Sequence, residues 1–230
     1  MKKFLSIVNK TTLTRILFIE ITAGLIFNVA FLLLFIFLTQ DVLEKEVLFY
    51  DQAISSAIYS FRTPLLTTVM STITNLTDIP AGIILSLLMV LLLIRKHKKE
   101  ALIFSLSPMI GGILNYILKI IFHLPRPNIS PLEALNDFTY PSGHAMNNLV
   151  LYGLLAFYTF HFTKNKPLSI LSMFIAVIWI CLIGFSRIYL GVHYFSDVMA
   201  GYLVGFWWLI TVLLVDKTIS LSKEVKRLHE

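Results

Sequence analysis

Apolar stretches of about 20 residues recur along the chain, and they restrict the possible folds more than any other feature of the sequence. A helix of roughly 20 residues crosses the hydrocarbon core of a bilayer, because each residue adds about 1.5 Å of height. Hydrophobic residues make up 57% of the chain and charged residues only 14%, whereas a soluble domain is about half apolar and about a quarter charged. A bilayer admits only helices or closed barrels, and the stretches lack the strict alternation of barrel strands. The sequence therefore predicts an all-α integral membrane protein with a single domain over residues 1–230.

Six stretches are predicted to be transmembrane helices. The first is too long for a signal peptide and has no small-residue cleavage site. Within it, Glu20 is either a functional carboxylate or one that reaches the lipid headgroups. The single cysteine, Cys181, excludes an internal disulfide and is interpreted as a small residue of the membrane core. The six predicted spans are Ile16–Leu38, Ile79–Ile94, Ala101–Ile121, His144–Phe162, Leu168–Phe185 and Phe195–Val215.

The segment 39–78 before the second span is less apolar, and it is predicted to form two short amphipathic helices on the outer membrane surface. Hydrophobic residues recur at helical spacing on both sides of Thr63-Pro64. Two partly buried loop helices are an alternative that the sequence leaves open. The recurring residues are Val47, Ile54, Ile58 and Phe61 before the break, and Leu65, Leu66, Val69 and Ile73 after it.

The distribution of lysine and arginine predicts the orientation in the membrane, because cytoplasmic segments carry an excess of both. With six spans, fourteen of the 19 basic residues fall on one face, in segments 1–15, 95–99, 164–166 and 216–230. Both termini are therefore predicted to be cytoplasmic, in a multi-pass protein of the plasma membrane. The net charge of +6 is explained by this topology, so nucleic acid is not an expected partner. The five basic residues on the outer face are Lys45, Arg62, Lys119, Arg126 and Arg187.

Three of these outer cations lie near a short motif, Tyr140-Pro141-Ser142-Gly143-His144, at the start of the fourth span. Lys119 ends the third span, Arg126 follows in the outer loop 123–143, and Arg187 ends the fifth span. His193 and Asp197 stand at the start of the sixth span. All of these positions have the same depth in the membrane, so we expect them to surround one opening.

Phosphoryl transfer is the chemistry that this set of residues fits. Lys119, Arg126 and Arg187 supply positive charge for the non-bridging phosphate oxygens. Ser142 and the Gly143 N–H complete the binding site at a helix start.

The histidines supply the reacting groups. His193 and Asp197 are four residues apart on one helix face, so the carboxylate can accept the proton of one ring nitrogen and leave the other free to attack phosphorus. His144 is then the general acid for the leaving alkoxide. No metal and no other cofactor is required, because the three cations stabilise the charge.

Taken singly, each residue has a structural explanation. Lys119 and Arg187 could be anchors at span ends, Arg126-Pro127 could belong to a turn, and His193 with Asp197 could satisfy a helix end. Their joint placement on one face favours the site. His123 lies beside it and has no assigned role.

The three motifs resemble the signatures of the type 2 phosphatidic acid phosphatase superfamily. They are Lys119-x6-Arg126-Pro127, Pro141-Ser142-Gly143-His144, and Ser186-Arg187-x5-His193-x3-Asp197. The resemblance implies a metal-independent lipid phosphatase with a phosphohistidine intermediate. It makes His193 the nucleophile, His144 the acid and Asp197 the orienting carboxylate, and it assigns phosphate binding to Lys119, Arg126, Ser142, Gly143 and Arg187. Soluble vanadate-dependent haloperoxidases share this pocket, but the predicted spans argue against that group.

The identity of the substrate stays open at the level of sequence. A membrane lipid phosphate in the bilayer is the expected partner, of the phosphatidylglycerophosphate, phosphatidic acid or undecaprenyl pyrophosphate type, and the sequence does not determine the oligomeric state. The outer loop contains Glu133 and Asp137 and no second basic cluster, which favours a monophosphate. A phosphate or lipid transporter is the rival class. No inverted repeat is visible, and transport does not require a paired His193 and Asp197.

Overall fold

The computed structural model describes residues 10–127, 131–132, 137–163 and 165–227, and for residues 10–17, 79 and 221–227 it describes the backbone alone. In this part of the chain the regular structure is entirely helical, as expected. Parts of the predicted basic segments 1–15, 164–166 and 216–230, namely residues 1–9, 164 and 228–230, lie outside the described residues, as does Glu133. The helices are α1 Lys10–Leu43, α2 Leu48–Tyr59, α3 Pro64–Asn75, α4 Ile79–Leu93, α5 Lys98–Phe122, α6 Gly143–Phe162, α7 Lys166–Tyr189 and α8 Phe195–Arg227.

Local sequence signals explain several helix ends. Thr63 caps α3 by accepting the N–H of Leu66, and Asn165 caps α7 by accepting the N–H of Leu168; each helix has a proline in its first turn. The helix α5 ends at His123, which adopts the left-handed conformation (φ 50°). These short-range signals place the polar loops at the bundle ends.

Four of the described helices are long and apolar enough to cross a membrane, or five if the bent pair α3 and α4, at 47° to each other, forms one broken span. Six spans therefore remain a prediction. At 15 residues, α4 covers only about 22 Å of a hydrocarbon core of roughly 30 Å. Polar residues on α6, among them His144, Asn147 and Asn148, lower the hydropathy of that helix. The four candidates are Phe18–Leu43, Lys98–Phe122, Lys166–Tyr189 and Phe195–Ser220.

The central helix of the bundle is α6, which packs against α5, α7 and α8, while α1 lies along α8. Its buried side chains include Met146, Leu149, Val150 and Leu154. Gly201 on α8 brings that helix close to the start of α6, because a Cβ there would lie 2.6 Å from the Ser142 carbonyl oxygen. Most apolar side chains of α1, α4 and α7 point outward, as expected for helices facing lipid.

The two short helices predicted in segment 39–78 exist, and both pack on the end of the bundle that carries the motifs. Asp51 of α2 is buried and accepts the Ser196 N–H at 2.9 Å and the Ser196 hydroxyl at 2.5 Å, which caps the start of α8. Arg62 donates to the Tyr189 carbonyl at the end of α7 from Nε (2.9 Å) and Nη2 (2.6 Å). The segment thus clamps the α7–α8 loop, and its location at the membrane interface remains a prediction.

At the opposite end of the bundle, charged residues of the predicted cytoplasmic face pair with one another. Lys99 Nζ lies 2.6 Å from Asp216 Oδ1, and Lys217 forms an ion pair with Glu20. Glu20 therefore tethers α1 to the end of α8 and lies away from the motif residues.

Candidate active site

One large cavity, with a volume of about 1050 Å³, opens between α4, α5 and α6. Its upper end is polar and its lower walls are apolar, with Ile83, Leu87, Val90 and Ile113 among the lining residues. Two of the eight predicted site residues, Ser142 and Asp197, do not line it. The other six do: Lys119, Arg126, Gly143, His144, Arg187 and His193.

His193 lies in the loop between α7 and α8 and is only 1% exposed. The predicted helix face shared with Asp197 is therefore wrong, because α8 begins at Phe195 and only Asp197 is helical. Its Nε2 atom lies 3.5 Å from Arg126 Nη1, on the side of the cavity. On the other side, Nδ1 lies 3.5 Å from Asp197 Oδ2 and 3.0 Å from the Thr139 hydroxyl oxygen. The imidazole is therefore held from both sides, and its closest partner is a threonine.

Burial lowers the pKa of His193 well below its usual value, and the neighbouring Arg187, Arg126 and Lys119 lower it further. Burial disfavours the charged imidazolium because it removes water, and the cations repel a further positive charge. His193 is therefore a neutral imidazole near pH 7, which is the state that a nitrogen nucleophile needs.

Asp197, in the first turn of α8, accepts hydrogen bonds through both its side chain and its backbone carbonyl. Its Oδ2 atom accepts from the Thr139 hydroxyl at 2.5 Å and from the Tyr194 N–H at 2.8 Å. Its backbone carbonyl accepts the Ser142 N–H at 3.0 Å. Asp197 thus ties the loop that carries His193 to the turn before α6.

Lys119 and Arg126 converge on the carboxylate of Asp137. Lys119 Nζ lies 2.5 Å from Oδ2, while Arg126 donates to Oδ1 from Nη2 at 2.5 Å and from Nε at 3.0 Å. Burial alone would raise the pKa of Asp137, but the hydrogen bonds from Lys119 and Arg126 lower it to about 2. A carboxylate therefore occupies the place where these cations would hold an external anion.

The remaining phosphate-binding candidates are placed differently. Arg187 is 3% exposed and lines the cavity from the last turn of α7. Ser142 is fully buried, and its side chain caps α6 by accepting the Ala145 N–H at 3.5 Å. At Gly143 a Cβ would lie 2.8 Å from Asn115 Oδ1, so a larger residue at this helix start would force the Asn115 side chain to move. Asn115 in turn donates to the Pro141 carbonyl at 3.1 Å.

His144 forms the other wall. Its side chain is 19% exposed, and Nε2 has no hydrogen-bond partner among the described residues. The nearest carboxylate is that of Asp78, at 3.6 Å. The ring lines the cavity, and its Nε2 atom is buried and makes no hydrogen bond to the described residues.

The sequence did not predict that Thr139 and Asp78 contact the two histidines, or that Asp137 pairs with Lys119 and Arg126. Thr139 directly precedes the Tyr140–His144 motif, so only its adjacency could have pointed to it. Asp78 lies 66 positions before His144 in the chain, and no local pattern connects the two. His123, left without a role, packs edge-on against Phe138 at 4.5 Å. In the part of the chain that the structure describes, no group of three or more His, Cys, Asp or Glu residues could hold a metal.

Comparison with known families identifies related proteins. Residues 100–220 match the sequence model of the PAP2 superfamily. Phosphatidylglycerophosphatase B of Bacillus subtilis is 31% identical over 84% of this chain and 96% of its own length. Undecaprenyl-diphosphatase of Sulfolobus acidocaldarius is 31% identical over 58% of this chain and 63% of its own length.

Solved structures give a similar result. The crystal structure of the transmembrane PAP2 type phosphatidylglycerolphosphate phosphatase from Bacillus subtilis superposes with a TM-score of 0.75, at 29% identity over 84% of this chain and 96% of that one. Aquifex aeolicus LpxE shares the fold, with a TM-score of 0.57, over 70% of this chain and 93% of its own.

Proposed function

The chain belongs to the PAP2 superfamily and is a membrane phosphatase, and we propose that it hydrolyses the phosphomonoester of a membrane lipid through a phosphohistidine on His193. The observation that carries the proposal is that two histidines and three cations line one and the same cavity. The apolar lower walls of that cavity fit the chains of a lipid, and its polar upper end fits a phosphate.

In the first step the phosphate lies among Lys119, Arg126 and Arg187, which stabilise its negative charge. Nε2 of His193 attacks phosphorus, so a P–N bond forms while the bond from phosphorus to the lipid oxygen breaks. His144 donates its proton to that oxygen, and the lipid leaves as a neutral alcohol.

In the second step His144, now neutral, accepts a proton from water. The resulting hydroxide oxygen bonds to phosphorus, and the P–N bond breaks with its electron pair returning to His193. Inorganic phosphate leaves, and both histidines regain their starting states. The chain's own cations and histidines suffice for both steps.

A phosphatidylglycerophosphate or phosphatidic acid type of lipid is the proposed substrate. The similarity to the Bacillus subtilis phosphatase over 84% of the chain supports this choice. The outer-loop sequence 123–143 supports it also, because it offers no second basic cluster for a further phosphate group. A prenyl diphosphate is the second candidate, favoured by the similarity to the Sulfolobus acidocaldarius undecaprenyl-diphosphatase.

The deciding experiment measures phosphate release from a panel of lipid monophosphates and a prenyl diphosphate in detergent, with a chelator present. We expect the wild type to be active and His193→Ala to be inactive, and His161→Ala, at the far end of α6, to match the wild type. Equal release by wild type and His193→Ala, or loss of all activity with chelator, would refute the mechanism. The lipid with the highest kcat/KM identifies the substrate.

We further propose that the cavity opens at the outer face of the plasma membrane, with both termini cytoplasmic. The excess of basic residues on the other face supports this orientation. In a Cys181→Ser background, an impermeant thiol reagent should label Glu46→Cys in intact cells and Lys96→Cys only after lysis. Both positions are exposed, on the turns at opposite ends of the bundle. The reverse labelling pattern would place the cavity on the cytoplasmic side.

A further inference from the structure

Thr139 lies between the two residues that the proposed mechanism pairs directly. It is 2% exposed, in the loop just before α6. Its hydroxyl oxygen is 3.0 Å from His193 Nδ1 and 2.5 Å from Asp197 Oδ2, whereas the two partners are 3.5 Å from each other. Both hydrogen-bonding distances are shorter than the direct one, so the main connection between His193 and Asp197 passes through the threonine.

We propose that Thr139 is a positioning residue that joins Asp197 to His193 and selects the reactive form of the imidazole. This inference rests on the proposed function, in which His193 attacks phosphorus. The Thr139 hydroxyl then accepts the Nδ1 proton of His193, which the sequence pattern assigned to the Asp197 carboxylate.

The proton inventory of the three groups determines the direction of each bond. An ionised carboxylate can only accept, so the single hydroxyl proton of Thr139 points to Asp197. The hydroxyl oxygen is then left with lone pairs only, and it accepts the proton on His193 Nδ1. Nε2 is consequently the nitrogen without a proton, and it carries the lone pair needed for attack.

The opposite side of the ring agrees with this assignment. Arg126 Nη1 faces Nε2 at 3.5 Å, and a guanidinium has only donors to offer. A protonated Nε2 would meet that group proton to proton. Both neighbours of the imidazole therefore favour the same tautomer.

The hydroxyl is held in place before a substrate arrives. The Thr139 N–H donates to the Leu124 carbonyl at 3.0 Å, and the hydroxyl of the next residue, Tyr140, lies 2.7 Å from that of Thr39. During attack, positive charge develops on the ring, and the chain of hydrogen bonds from Nδ1 through Thr139 to Asp197 strengthens. No proton has to move along it.

The test compares two conservative variants. Thr139→Val keeps the shape and removes the hydroxyl, and we expect kcat to fall about tenfold to a hundredfold with little change in KM, because a donor and an acceptor lose their partner. Thr139→Ser keeps the hydroxyl, and its kcat should stay within about threefold of the wild type. Thr139→Ala serves as a second replacement if the valine variant does not fold, as judged by gel filtration and thermal unfolding in detergent.

A double-mutant cycle separates positioning from a purely structural role. If Thr139 acts only through Asp197, then Thr139→Val combined with Asp197→Asn should lose no more kcat than Asp197→Asn alone. Independent losses that multiply would overturn the inference, as would a folded Thr139→Val with wild-type kcat. His193→Ala is run in parallel: an active His193→Ala refutes the proposed function itself, whereas an inactive His193→Ala beside an active Thr139→Val refutes only the role of Thr139.

Discussion

The two histidines of the site are held in different ways. His193 is 1% exposed, with Thr139 at one ring nitrogen (3.0 Å) and Arg126 at the other (3.5 Å). The His144 side chain is 19% exposed, and its Nε2 has no hydrogen-bond partner within the described residues. A nucleophile benefits from a fixed ring because its lone pair must point at phosphorus. A general acid benefits from a free N–H because its acceptor arrives with the substrate.

The surrounding elements repeat this difference. The His193 loop is clamped by the bonds from Arg62 to Tyr189 and from Ser196 to Asp51. His144 faces the open cavity, with Asp78 of the short α3–α4 turn 3.6 Å away. The fold thus holds His193 in place, and in the proposed function the partner of His144 arrives with the substrate.

Removal of the fixed histidine is expected to have the largest effect. His193→Ala should lower kcat by a factor on the order of 10⁴ or more, because no other group forms the intermediate. The loss should be the same for a lipid phosphate and for p-nitrophenyl phosphate, because attack is needed in both cases. Phosphate release and trapping of labelled phosphate in acid-quenched protein measure it, and labelled phosphate on the alanine variant would contradict the assignment.

Removal of the free histidine should depend on the leaving group. His144→Ala should lower kcat about 10²- to 10⁴-fold with a lipid phosphate, which needs a proton at its departing oxygen. With p-nitrophenyl phosphate the loss in phosphohistidine formation should shrink to roughly tenfold or less, because nitrophenolate leaves without one. Burst measurements on both substrates test this. Equal losses would mean that His144 does not protonate the leaving group.

The pH dependence of activity tests the environment of His193. Burial and the nearby Arg187, Arg126 and Lys119 lower the pKa of His193, so the imidazole stays neutral as the pH falls below 6.5. An unperturbed histidine would lose about tenfold of its neutral form at pH 5.5. We expect kcat/KM for the wild type to keep more than half of its pH 7 value at pH 5.5. An acid limb of kcat/KM centred near pH 6.5 would show that His193 is more hydrated than the structure indicates.

Asp137 is expected to influence binding and to leave the histidines unaffected. Asp137→Asn removes the anion that occupies Lys119 and Arg126, so KM and the inhibition constant for inorganic phosphate should fall by about two- to tenfold. The value of kcat should stay close to that of the wild type. Glu46→Gln, an exposed change outside the cavity, is the matched control. A higher KM in Asp137→Asn would instead mean that the carboxylate holds the cations in position.

The smallest effect on activity is expected at Asp51, which holds the α7–α8 loop through Ser196. Asp51→Ala removes the cap of α8, which should lower the free energy of unfolding by about 1–2 kcal/mol. Thermal unfolding in detergent measures it, with Asp41→Ala as the control at the end of α1. At temperatures where the protein remains folded, kcat should change less than about threefold. Unchanged stability would show that the bonds to Ser196 do not stabilise the loop.

The sequence alone predicted the helical membrane fold, since apolar runs near the bilayer thickness leave few alternatives. The number of transmembrane spans was harder to predict from the sequence. The polar residues of α6 weaken the hydropathy signal that a count relies on, and the bend between α3 and α4 decides whether that stretch counts as one broken span.

Short-range spacing also determined which residues became candidates. His193 and Asp197 are only four positions apart, so their spacing marked them as a pair, although His193 lies in the loop before α8 and the predicted shared helix face is wrong. The turn before His144 needs only neighbouring residues. Tertiary structure alone decided the partners: Thr139 comes between His193 and Asp197, Asp137 lies on Lys119 and Arg126, and Asp78 faces His144. Most of these contacts join residues far apart in the chain, and their distances follow from how the helices pack, which no local pattern encodes.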